Sequence, residues 1–521
     1  MKRLALVRPA FRAPVLIILV FVISRTAFYL AGVRLNIAGL NVQTDYLQLL
    51  DQNQLQHNLV QSIWYLHSQP PLFNLTTGLL LQLPTAWLLP FVMSMFLILG
   101  LVMALSCYYV CLELRIPRAL SLLVAFLVIL DPANVLYGNW YFYSYPTATL
   151  ITVCALSLAR YVRTESLFWG FGFFASLGTI VLLNSTFQWF WVAAAALPVI
   201  VHFRGNWRTV VTVAVLPLLL VAVWYVKNDV LFQASTTSTS FGFNLARITT
   251  SKAGPGELGH LLKTGEVSSL SGHELFAPLK AYGGEFSPHA PTGIAVLDAP
   301  TKRDGQPNLN NINYIEISNR FLHDDLVFIK TYPGTYARNV GKATMLFFVP
   351  PEQEQLLGAN AVHMSSYLRW YDLLVEWQPH GTDISQINTL AVEGFFPSIG
   401  GLSFGAIALF SITLFVLPVI AWRRRGRRDA TLLLTLTFIW VSTVYVFVLT
   451  TFVELGENER FRYSLGPLPL VATAAVVVVL LRGNSGAHAR NHGELMNENS
   501  SRARSMVPSL ASGKVGAPVD I

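Results

Sequence analysis

Charge is scarce in this chain. Only 12% of the 521 residues are Asp, Glu, Lys or Arg, about half the 25% share usual in a soluble globular protein. Together with 53% hydrophobic residues and a mean hydropathy of +0.50, this leaves too little polar surface for a water-soluble fold, and a bilayer is the solvent that fits. Cysteine is nearly absent. Cys107, Cys111 and Cys154 all fall in apolar runs, so no disulfide framework and no zinc site is indicated. No internal repeat is visible. The net charge of +8 sits in short loops between apolar runs, where membrane proteins keep basic residues on the cytoplasmic side, so nucleic acid is not an expected partner.

A membrane helix needs about 20 mostly apolar residues. Ten such stretches are read at about 14–33, 87–111, 119–135, 146–163, 167–184, 187–203, 209–226, 402–422, 430–452 and 465–482. The first follows Lys2, Arg3, Arg8 and Arg12 and has no small-residue cleavage site after it, so it reads as a retained anchor rather than a signal peptide. With the N-terminus inside, the loops after even-numbered spans should be basic. They carry Arg115 and Arg118, Arg160 and Arg163, Arg204 and Arg208, the run Arg423–Arg425 with Arg427 and Arg428, and Arg482. Both termini are therefore expected in the cytoplasm. The apolar segment 72–86 contains Pro84 and would invert every later loop if it crossed. It is expected to be a re-entrant or interfacial helix on the outer side.

The expected organisation is an N-terminal transmembrane module (1–226) whose first outer loop spans 34–86, an extracytoplasmic subdomain (227–400), C-terminal transmembrane helices (401–482) and a disordered cytoplasmic tail (483–521). In the first outer loop, Leu55, Leu59, Ile63 and Leu66 recur at spacings of three and four, the pattern of an amphipathic helix lying on the membrane surface. Asp51 stands before it with Gln54 three residues on, in capping-box spacing. Asp51 therefore reads either as a plain helix cap or as a functional acid, and Asp45 as a solvated or functional one. Pro70 and Pro71 end this helix and start the next, and His67 beside them reads as an interfacial polar residue unless it binds a ligand. Trp140, Tyr141, Tyr143 and Tyr145 read as an interfacial aromatic belt or as a platform for a sugar ring. Arg25, inside the first span, pairs with a neighbour or snorkels. Arg338 and Lys342 read as membrane-surface contacts on a helix near 334–348. The charges Glu454, Glu457, Glu459, Arg460 and Arg462 read as a self-neutralising interfacial loop unless they bind a ligand.

An acid in the first outer loop, a surface helix and then His67-x-x-Pro70-Pro71-Leu72 opening an apolar segment together resemble the GT-C superfamily of membrane glycosyltransferases. Within it, the chain is similar to the family 39 and protein O-mannosyltransferase-like branch. It departs from that pattern by inserting Ser68 and Gln69 between the His and the prolines, and Asp45 is followed by Tyr46 rather than by a second acid. The segments DPANVLYGNWYFYSYP (131–146) and ENERFRYSLGPLPL (457–470) also resemble outer loops of such enzymes, while 230–400 matches nothing nameable. The resemblance implies an all-α GT-C-like bundle in a bacterial plasma membrane. It implies an inverting transfer of a sugar from a polyprenyl-phosphate donor to a hydroxyl of a lipid, glycan or protein acceptor on the outer face. A general-base carboxylate, Asp51 or Asp45, would serve the acceptor. The leaving lipid phosphate would need a fixed cation, for which Arg460 and Arg462 offer the planar guanidinium fork and Lys227 is a second candidate. His67, Glu457 and Tyr143 complete the expected substrate-binding set. No cofactor is required, and a divalent metal is compatible with the chemistry. A transporter or flippase of an amphiphilic substrate is the alternative, although neither paired repeats nor midplane charges support it. A ligase of lipid-linked glycans would share the chemistry with another acceptor.

Overall fold

The computed structural model describes residues 9–40, 46–378, 401–423 and 429–482. Asp45, most of the arginine run at 423–428 and the tail from 483 therefore lie outside the described residues. Among the described residues the chain is helical without a strand. Two isolated bridges are present, one of them a parallel pairing of Asn36 with Trp140 that ties the first loop to the 139–141 turn.

Each of the ten apolar stretches corresponds to a helical segment. Four helices, Arg12–Leu30, Thr85–Glu113, Arg204–Phe232 and Ala430–Val453, are long and apolar enough to cross a membrane, and Arg118–Leu130, Leu167–Leu183, Trp189–His202, Phe404–Ile420 and Leu468–Arg482 are shorter apolar helices. The outward faces stay greasy. Leu216, Leu219, Leu220, Val223, Val226 and Val230 are all exposed along one helix, a pattern that suits lipid and not water.

The hub is the helix Ser144–Thr164, buried over most of its length and packed against Thr85–Glu113, Leu167–Leu183 and Ala430–Val453. Its threonines are accommodated locally. Thr147, Thr149 and Thr152 each donate their hydroxyl to the carbonyl four residues back, at 2.7, 3.1 and 2.8 Å, so these three are satisfied within the helix.

The segment at 72–86 folds as a helix of only 10 residues, Pro71–Leu80, with Pro71 at its first turn. At 1.5 Å per residue it is about 15 Å long, half the thickness of a hydrocarbon core. It packs against two short helices, Gln52–His57 and Leu59–Trp64. Those two replace the single amphipathic helix expected over 52–66, because the chain leaves helical geometry at Asn58 (φ −130°, ψ 40°). Their apolar stripe does not lie on a membrane surface. Leu55 and Leu66 are fully buried in a cluster with Phe232, Val296 and Leu297, so it is satisfied by the protein itself.

The stretch after Phe232 is stitched to the first outer loop rather than standing apart. The Asn310 side chain accepts from the amides of His67 and Ser68 and donates to the Tyr65 carbonyl. Ser238 donates to the Ser68 carbonyl at 2.6 Å and Lys302 to the Tyr46 carbonyl at 3.0 Å. The helices Phe241–Ala246 and Asn313–Thr331 cross at Gly242, where an added Cβ would stand 1.8 Å from the Ser318 carbonyl oxygen. Gly242→Ala is expected to overpack this crossing and destabilise the protein by about 1–3 kcal/mol, measured as a fall in thermal midpoint in detergent. An unchanged midpoint would contradict the crossing.

Candidate active-site cavity

Two polar segments meet at the ends of the apolar helices. The first is the turn after Arg118–Leu130. Asp131 follows the last helical residue, and Pro132 opens the next helix, Pro132–Tyr137. Asp131 Oδ1 accepts from the Ala133 amide at 3.0 Å, the usual duty of a cap, and Oδ2 accepts from the Asn134 side chain at 2.9 Å. Asn134 in turn accepts from the Tyr463 hydroxyl at 2.8 Å, and Tyr463 stacks on Tyr137 with ring centroids 3.8 Å apart.

The second is the helix Asn458–Tyr463, nearly all of it buried. Glu457 lies between two guanidiniums. It is ion-paired with Arg460, and Arg247 stands 3.4 Å from it and 2.6 Å from Glu454. Burial pushes the Glu457 carboxyl up, but Arg460 and Arg247 outweigh it and hold the carboxyl at about 2. Glu454 is raised to about 7 by burial despite the same arginines. Arg460 also donates to the Tyr143 hydroxyl at 3.3 Å. Arg462 is placed differently. Its Nη2 donates to the Val349 carbonyl at 2.9 Å, while its buried Nε finds no partner among the described residues.

Arg462, Tyr463, Asp131, Asn134, Tyr371 and Glu376 line the polar end of a cavity of about 330 Å³. Its other walls are apolar and come from Leu127 and Val128, from Ala408, Leu409 and Ile412, and from Leu470. Behind Arg462 lie more acids than it can neutralise. Glu352 is buried with Oε1 unpartnered, as is Oε2 of Glu459. Burial and the neighbouring carboxyls raise both well above the usual carboxylate range. Asp131 is raised to about 7, first by burial and then by Glu376, against the pull of the Ala133 amide, Arg462 and Arg25. Such a carboxyl can both take and give a proton near neutrality. Arg25 donates to the Ile129 carbonyl at 3.1 Å, so this intramembrane charge is turned toward the protein rather than snorkelling.

Of the residues singled out in the sequence, Tyr143, Glu457 and Arg460 come together, Arg462 alone lines the cavity, and Asp51, His67 and Lys227 are elsewhere. Asp51 caps Gln52–His57 through the Asn53 and Gln54 amides at 2.9 and 3.3 Å, and its second oxygen accepts from the Arg303 amide at 2.6 Å. The hollow it borders, with Lys302, Arg303 and Asp304, shares no residue with the Arg462 cavity. Asp51→Ala is therefore expected to cost about 1 kcal/mol as a lost cap, with turnover of the folded protein little changed. A collapse of turnover at unchanged stability would return Asp51 to the site.

His67 is fully buried. Its Nε2 lies 3.0 Å from the Asn310 carbonyl and its Nδ1 2.8 Å from the Thr239 hydroxyl, so Nε2 donates and Nδ1 accepts. Burial holds the ring at about 3, a neutral clamp between two segments. Lys227 donates to the Leu66 carbonyl at 2.6 Å and sits 3.6 Å over the Trp224 ring. The aromatics Trp140, Tyr141, Tyr143 and Tyr145 are buried and form a core around Phe142 and Phe73 rather than an interfacial belt. Trp140, for example, stacks on Phe142 at 4.4 Å. Among the described residues no group of three or more His, Cys, Asp or Glu is arranged to hold a metal ion.

Asp131, Glu352, Glu376 and Arg247 were not singled out as site residues. Asp131 had a legible signal, an acid closing an apolar run at membrane depth. Arg247 had none. Comparisons with protein-family models, with curated proteins and with solved structures found no match.

Proposed function

We propose that the chain is a multi-pass membrane glycosyltransferase of GT-C-like architecture that moves a sugar from a polyprenyl-phosphate donor to an acceptor hydroxyl. The observation that carries this reading is the Arg462 cavity. It joins a guanidinium whose Nε has no partner among the described residues and a carboxyl near 7 to an apolar wall, the three features an amphiphilic phosphate donor and a nucleophilic hydroxyl need together. In this mechanism Arg462 faces the lipid phosphate and steadies its growing charge as the glycosidic bond breaks. Asp131 accepts the proton of the acceptor hydroxyl as its oxygen bonds to the sugar carbon. Arg460, already neutralised by Glu457, serves to hold Tyr143 and the helix in place. The base thus moves from the first-loop acids to Asp131, while the phosphate role stays with Arg462 alone of the two last-loop arginines.

The reading is tested by reconstituting the protein in liposomes with a panel of polyprenyl-phosphate sugars and an acceptor extract. Sugar leaving the lipid supports it. Movement of intact lipid-linked sugar across the bilayer without loss of sugar would favour the transporter. The topology that goes with it has ten crossings and both termini in the cytoplasm, in line with the alternating basic loops. In intact cells Asp304→Cys is expected to react with an impermeant maleimide and Gly426→Cys is not. Outside labelling of Gly426→Cys would overturn that arrangement.

A further inference from the structure

One wall of the Arg462 cavity is built by a segment that the sequence left without a role. The helix Ser365–Leu374 and the residues after it contribute Tyr371, Val375, Glu376 and Trp377 to the lining. This helix lies across the ends of apolar helices. The Tyr367 hydroxyl donates to the carbonyl of Leu130, the last residue of Arg118–Leu130, and its ring meets Phe28 of the first helix edge-on at 5.2 Å. At the other end, the Gly405 amide donates to the Glu376 carbonyl at 2.8 Å, and Ser403, which caps Phe404–Ser411, donates to the Glu376 carboxylate. Ser365–Leu374 is thereby pinned to three apolar helix ends at once, which puts it at the level where those helices would leave a bilayer.

Its surface matches that level. Leu368 and Asp372 point inward, and Trp370, Leu373, Leu374 and Trp377 are 63, 46, 66 and 59% exposed. Four large apolar side chains on one short stretch are out of place in water, and tryptophan is the residue enriched at the membrane interface. The exposed apolar surface continues onto Phe404 and, further along, Phe415 and Val419, on the helix to which the segment is tied. The occupant that fits an apolar face continuous with the outside of a membrane helix is the acyl region of the bilayer.

We infer that Ser365–Leu374 and the turn to Trp377 form a lip embedded in one leaflet, which opens the Asp131–Arg462 cavity sideways to the membrane and admits an amphiphile with a polar head and an apolar tail. This rests on the same cavity as the proposed function but not on sugar transfer, and it is tested without it. The native cysteines are buried, so an environment-sensitive fluorophore can be attached to Trp370→Cys, Leu374→Cys or Trp377→Cys, with exposed Glu274→Cys as control, in liposomes carrying spin-labelled phospholipid. Quenching by the lipid label at all three lip positions, several-fold stronger than at the control, is the expected result. Quenching by aqueous iodide instead would overturn it. So would shielding from both quenchers with cross-linking to a second copy, because another chain would then cover the face.

A second measurement addresses the route. In Leu409→Cys protein, whose substituted side chain lines the cavity, maleimide labelling should be blocked by a polyprenyl phosphate dissolved in the liposomes and unaffected by glycerol phosphate at equal concentration. Equal protection by both would show entry from water and overturn the sideways opening. Should the protection and quenching appear while no sugar leaves any donor, the lip stands and the glycosyltransferase reading fails.

Discussion

Replacing Asp131 by Asn is expected to lower sugar transfer by roughly 10²–10⁴ while donor binding stays close to that of the parent. Asn keeps the size of the side chain and its carbonyl oxygen can still cap the Ala133 amide, so the fold should survive; basicity is lost together with the hydrogen bond that Oδ2 accepts from Asn134, and transfer is therefore compared per folded protein. The pH profile adds a second signature. With its carboxyl raised to about 7 by burial and Glu376, Asp131 is mostly protonated at pH 5 and mostly ionised at pH 9, so transfer should rise with pH through about 7. Stability should move the other way. The folded protein holds a proton on Asp131 between its usual value and about 7, a window in which the unfolded chain has lost it. The folded state therefore binds more protons there, and stability falls as pH rises across that window. In Asp131→Asn the corresponding part of the stability slope should vanish. A variant with parental transfer rates, or a parental rate that does not rise with pH, would remove Asp131 from the mechanism.

Glu457→Ala is expected to be among the most destabilising single changes, at about 3–5 kcal/mol, because it strands the buried guanidinium of Arg460, while the half-buried Arg247 keeps Glu454 as its partner. The carboxylate they share is held at about 2, with burial outweighed by the two arginines, so acid should not disrupt this pair until well below pH 4. Adding Arg460→Leu to Glu457→Ala removes the stranded charge and should recover part of the loss. The comparison is read from thermal midpoints of the single and double variants in detergent. A single variant as stable as the parent would mean that water or lipid reaches these arginines and that the cluster is not closed.

The membrane character of the fold could be read from the sequence because apolar runs and the placement of arginines obey simple rules. Each apolar run became a helical segment, and Pro70 and Pro71 punctuated the chain as expected. The periodic stripe Leu55, Leu59, Ile63 and Leu66 was also real, but periodicity reports that a face is buried and not by what. Val296 and Leu297, some 240 residues away, cover it. The site was half legible. Arginines at membrane depth are costly enough to be noticed wherever they stand, and of Arg460 and Arg462 the second does line the cavity. Asp51 drew notice through its motif-like setting and proved to be a cap, with its oxygens held by amides. Glu352, Glu376 and Arg247 lie in a stretch of short helices with no pattern of its own. Their assembly with the last loop is a product of tertiary packing, which single-sequence spacing does not encode.

The pairing of Arg247 with Glu454 and Glu457 also bears on how the protein is made. About 200 residues separate the cation from its partners, so at 5–20 residues per second the ribosome needs roughly 10–40 s to supply them. Through that interval the nascent chain carries Arg247 without the two carboxylates it pairs with in the finished fold. Any fragment that stops before residue 454 keeps that defect permanently.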